Sequence, residues 1–85
     1  MGSSNKVSDA TLDVACRVMA AIVDGPVTEY GLPAKAGICG CSRFDTGRRW
    51  LACLEKNGVI RKTGRVLPNP NGAAKGEHPV YELNL

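Results

Sequence analysis

Ser42-Arg43-Phe44-Asp45-Thr46-Gly47-Arg48-Arg49-Trp50-Leu51-Ala52-Cys53-Leu54-Glu55-Lys56-Asn57-Gly58-Val59-Ile60 is the stretch that decides the fold. Phe44, Gly47, Trp50, Leu51 and Leu54 recur at steps of three and four residues, the period of one helical face. Ser42 followed by Asp45 resembles a capping box with a shortened acid, and Gly58 after Asn57 is a standard stop. The spacing predicts a helix over about residues 42–57; a start at Asp45 would shorten it by a turn without rotating its faces. Its outward side is then Ser42, Asp45, Arg49, Ala52 and Lys56, flanked by Thr46 and Arg48, with Arg49 at the centre.

Downstream the period changes. Val59-Ile60-Arg61-Lys62 reads as a short strand, and Pro79-Val80-Tyr81-Glu82-Leu83 alternates well enough to be its antiparallel mate. Between them Arg65 to His78 has no helical period and carries turn signals around Pro68, Pro70 and Gly72. A long, basic, turn-rich excursion from a two-stranded ribbon is expected there.

Upstream, Gly37-Ile38-Cys39-Gly40-Cys41 is a turn with Ile38 as its apolar anchor. Glu29 to Gly37 reads as a short helix whose regular turn begins near Pro33, a favourable first-turn residue. Pro26-Val27-Thr28 is extended, because the residue before a proline is pushed away from helical angles. Before it, Ser8 caps a helix with an apolar series at Leu12, Ala15, Cys16, Met19, Ala20 and Val23, and Gly25-Pro26 ends it. That series is expected to face the core. The opposite side, Val14, Val18 and Ala21, is apolar too, so it is expected to serve as a self-association surface.

The chain has 85 residues, 44% hydrophobic and 22% charged, enough for one compact domain and not two. A multidomain enzyme with an enclosed cavity is thereby excluded. Residues 1–8 are set aside as a disordered start or expression remnant, which leaves residues 9–85 as the domain. The net charge of +3 is unevenly spread. Residues 1–42 carry three cations against four acids, and residues 43–85 carry eight against four. This asymmetry favours a polyanionic partner for the second half. No apolar run reaches membrane-spanning length, and Asp13 and Arg17 interrupt the most apolar stretch, so a soluble cytoplasmic protein is expected.

Helix, extended piece, short helix, glycine turn, amphipathic helix, strand, loop, strand: in this order, residues 9–85 resemble the winged helix-turn-helix family of DNA-binding domains. The resemblance rests on Val27-Thr28-Glu29, Leu32 to Ile38, the run Trp50 to Ile60 and the closing Val80-Tyr81-Glu82-Leu83. The chain departs from the family in the length from Gly37 to Gly58 and in Gly47, which stands where a core aliphatic is usual. The resemblance implies an α+β fold of three helices and a small antiparallel sheet, the wing. It also implies a small transcriptional regulator that binds double-stranded DNA sequence-specifically. Helix 42–57 would enter the major groove, with Arg49 reaching a guanine edge and Ser42, Arg43, Thr46 and Arg48 adding base or phosphate contacts. Lys56 would meet phosphate, with Lys35 as a weaker contact. Wing residues Arg61, Lys62, Arg65, Lys75 and His78 would lie on the backbone or in the minor groove. A homodimer through the first helix would match a palindromic site.

The same fold also serves as a protein-interaction module that reads no DNA, and this is the alternative. Catalysis is not expected: His78 has no carboxylate or nucleophile placed beside it by any pattern, and no phosphate-binding glycine motif is present. No cofactor is expected. Cys16 is expected in the core and Cys53 on a helix flank. Cys39-Gly40-Cys41 is a paired spacing tighter than structural zinc sites use; with Cys53 or His78 it leaves a metal or redox role open.

Overall fold

In a computed structural model, which describes residues 8–68 and 76–85, the chain is α+β. Helix α1 spans Asp9–Asp24, α2 Leu32–Ala36 and α3 Arg43–Lys56; strands β1 (Ile60–Pro68) and β2 (Glu77–Leu83) form a two-stranded antiparallel sheet. The helix α1 begins where Ser8, in extended conformation, accepts a hydrogen bond from the Thr11 amide at 3.2 Å. This satisfies one of the amides that a helix start leaves without an intrahelical partner.

Which side of α1 faces inward is the reverse of the sequence expectation. Val18, Ala21 and Ile22 are buried and Val14 packs on the core, whereas Leu12 is 51% exposed, Val23 65%, and Cys16 is exposed. Val14, Val18 and Ala21 are therefore not a self-association surface, and Cys16 is not a core residue. The physical reason lies in Ile22. It adjoins Val18 and Ala21 on the helix, and these three meet Leu32, Ala36 and Leu51 of the other helices in one hydrophobic cluster.

Among the described residues Thr28 is the one buried polar side chain. Its Oγ1 accepts from the Gly31 amide at 3.0 Å and its carbonyl from Leu32 at 2.9 Å, which turns the chain into α2. Pro33 stands in the first turn of α2, and Gly37 ends it at φ 73°, a left-handed conformation that a side chain resists. The extended piece before this turn is also used: Val27 and Tyr81 exchange two backbone hydrogen bonds, 2.9 and 2.7 Å, bringing Val27 alongside β2.

Helix α3 starts at Arg43 and buries Gly47 and Leu51, with Phe44, Trp50 and Leu54 half-buried. Its expected capping box is absent, since Ser42 makes no side-chain cap bond. Helix α2 packs on both α1 and α3, and α3 in turn leads into β1. The sheet is longer than expected. Arg65 to Pro68 and Glu77-His78 are strand rather than loop, Val66 to Pro68 pairing with Glu77 to Pro79, with an irregularity between Lys62 and Val66 where Gly64 adopts φ 88°. Lys75 lies outside the described residues.

Candidate nucleic-acid interface

The outward side of α3 carries the charge its sequence placed there. Arg49 is 80% exposed and Arg48 59%, and both reach back to one carboxylate: Asp45 Oδ2 takes Arg49 Nε at 3.0 Å, and Oδ1 takes Arg48 Nη2 at 3.0 Å. Asp45 is the helical neighbour of both, three and four residues earlier, so the backbone alone brings the groups within reach. The hydrogen bond to Asp45, and then its charge, raise the pKa of the Arg48 guanidinium above its already high ordinary value. Exposed pairs of this kind hold side-chain direction more than they stabilise the fold. Ser42 and Lys56 are exposed near the two ends of the same helix, and Thr46 is half-buried.

Arg43 is turned toward the preceding loop. Its Nη1 donates to the Gly40 carbonyl at 2.9 Å, and its guanidinium lies 4.5 Å over the Phe44 ring. Phe44 is the start of an aromatic column: Tyr30 lies 5.2 Å from it and His78 4.7 Å beyond, centroid to centroid. His78, expected from sequence as a wing contact, is half-buried against Tyr30, its Nε2 without a hydrogen-bond partner among the described residues. The column ties β2 to the first turn of α3. Tyr30 was not singled out in the sequence because nothing local distinguishes it; its partners come from two distant elements.

On the sheet, Arg61 is held across the strands by Glu82 at 2.8 Å, matching their register pairing. Lys62 and Arg65 are exposed, and the Arg65 amide donates to Thr63 Oγ1 at 3.0 Å. Lys35 Nζ donates to the Gly25 carbonyl at 3.2 Å and sits 3.3 Å from Asp24, at the C-terminal end of α1. All four cysteines are free and exposed. Among the described residues no three histidine, cysteine or acidic side chains converge as a metal site would require. No described helix is long and apolar enough to cross a membrane.

Comparison with known protein families, curated proteins and solved structures finds no match for this chain.

Proposed function

We propose that this protein is a winged helix-turn-helix regulator that reads double-stranded DNA through α3, with the β1–β2 ribbon as its wing. The observation that carries the reading is the pair Arg48 and Arg49, exposed side by side on the helix and oriented by one acid. A helix of ordinary width fits the major groove, and an arginine fork matches the guanine edge. The three-helix, two-strand order, with Val27 bridging to β2, supports the same reading. Lys56, Lys62 and Arg65 supply further exposed cations for phosphate, whereas the charge of Arg61 is offset by Glu82.

Selection of bound sites from a random duplex library, followed by titration at several salt concentrations, tests it. With the Asp45 and Glu82 charges set against the α3 and wing cations, the expected slope of log affinity on log salt is about −4. Arg49→Ala should lower affinity for the selected site by roughly 10- to 100-fold while changing that slope by only about 1. Failure to bind any duplex at low ionic strength would overturn the proposal. It would also favour the protein-interaction reading, for which the exposed apolar Leu12 and Val23 are the specific observation.

A further inference from the structure

Of Ser42, Asp45, Arg48, Arg49 and Lys56 on the outward side of α3, Asp45 alone is an acid. An acid on that side opposes a polyanion, because it lowers the number of phosphates the surface neutralises. A helix that held DNA only by its backbone would bind more tightly without it. The carboxylate is shared between two arginines. Arg48 Nη2 donates to Oδ1 at 3.0 Å, and Arg49 meets Oδ2 through Nε at 3.0 Å. A guanidinium grips a guanine edge with two nitrogens at once. Arg48 gives up Nη2, which belongs to both its terminal and its side pair, whereas Arg49 keeps its terminal pair, Nη1 and Nη2, clear of the Nε contact. The two arginines are therefore unequal: Arg49 has the terminal fork, and Arg48 suits phosphate.

We infer that Asp45 is a specificity-determining residue: next to the guanine read by Arg49 it selects a base that presents an amino group, cytosine or adenine, and rejects one that presents a carbonyl oxygen, guanine or thymine. This rests on the reading that α3 enters the major groove. There cytosine N4 and adenine N6 are donors, while guanine O6 and thymine O4 are acceptors. An ionised carboxylate only accepts, and of its roughly four acceptor positions the two arginines take two. It pairs with the amino bases and repels the carbonyl ones, so the contact discriminates by repulsion as well as attraction. Two observations put it within reach of base edges. Asp45 is the third residue of α3, in the N-terminal part that lies over the bases when a recognition helix docks, and its side chain is 43% exposed. Arg49 leans back one helical turn to meet it, as helical side chains do, so carboxylate and fork act at one level of the groove.

The test selects sites from a random duplex library with the full chain, Asp45→Ala and Asp45→Asn, each checked for an unchanged thermal transition. Affinities are then measured on duplexes that differ only at the base next to the selected guanine. The wild type should prefer cytosine or adenine there by roughly tenfold or more. Asp45→Ala should keep the guanine, bind all four neighbouring bases within about threefold of one another, and hold random duplex more tightly, with a salt slope steeper by about 1. Asp45→Asn, whose amide also donates, should admit guanine or thymine at that position. A role confined to positioning the arginines would instead cost the guanine preference in both variants. A wild type without the neighbouring-base preference, an Asp45→Ala protein that retains it, or one that loses the guanine as well, overturns the inference and leaves the groove reading standing. A wild type that binds no duplex at low ionic strength overturns both.

Discussion

Gly47 is where α3 crosses α2, and replacing it with alanine sets two opposing effects of similar size against each other. A Cβ built there would lie 3.2 Å from Pro33 Cγ and 3.4 Å from both Pro33 Cδ and the Glu29 carbonyl oxygen. These neighbours are a closed ring and a backbone atom, neither of which can swing aside as a long side chain would. Alanine gains about 1 kcal/mol over glycine in a helix interior, while forcing extra volume into a packed contact costs about 1–3 kcal/mol. The net expectation is a loss of about 0–2 kcal/mol. In a domain of this size, that is a fall in Tm of up to roughly 16 °C. Ala52→Gly, on the exposed side of the same helix, supplies the propensity difference without the contact and should cost about 1 kcal/mol. Thermal and urea unfolding of both variants followed by circular dichroism, with m-values compared, gives the two numbers. Should Gly47→Ala stabilise the protein by as much as Ala52→Gly destabilises it, the close crossing of α2 and α3 through Gly47 is refuted.

Burial, then the charges of Glu55 and Glu29, raise the pKa of the Tyr81 phenol in the folded state. The folded chain therefore holds that proton more tightly than the unfolded chain, whose tyrosine titrates near pH 10. Its contribution to stability is full below about pH 10 and is lost as pH rises through the folded pKa. Tyr81→Phe should then unfold at a higher alkaline midpoint than the wild type in a fluorescence titration, and coincident midpoints would count against the assignment. Thr28→Val keeps the shape but strands the Gly31 amide, so it should cost about 1–3 kcal/mol in chemical denaturation, with Thr28→Ser recovering most of it. Equal stability of the valine variant would show that the hydroxyl does not hold the turn.

Helix α3 was legible in the sequence and the orientation of α1 was not, and the difference is one of contrast. In α3 the apolar residues Phe44, Trp50, Leu51 and Leu54 share one side while Asp45, Arg49 and Lys56 share the other, so only one side can be buried without stranding charge. Along α1 two apolar stripes compete, and neither carries enough charge to decide the matter locally. Leu32 and Ala36 decide it from another element, by meeting Val18, Ala21 and Ile22. The extended sheet was obscured by Thr63-Gly64-Arg65, which breaks the strand alternation where the register slips. The aromatic column was hidden for a third reason: His78, Tyr30 and Phe44 come from three separate parts of the chain.

Ser8 and Ser42 both read as helix caps, and only Ser8 is one. The backbone of Ser8 is extended, with ψ 156°, so its oxygen projects over the amides of the first turn. That of Ser42 has ψ 13°, bent by the preceding tight turn in which the Arg43 amide reaches the Gly40 carbonyl at 3.3 Å, and its hydroxyl makes no cap bond. With no reciprocal cap to complete, Asp45 turns to the arginines one helical turn ahead. The acid that reads as part of a helix start is thus the residue that organises the outward charges of α3. The Gly40 turn lies three residues before the helix start at Arg43 and carries none of this charge. The spacing of three and four residues within α3 is enough to set Asp45 against Arg48 and Arg49, so the geometry of the cationic face follows from the helix itself and not from the cap.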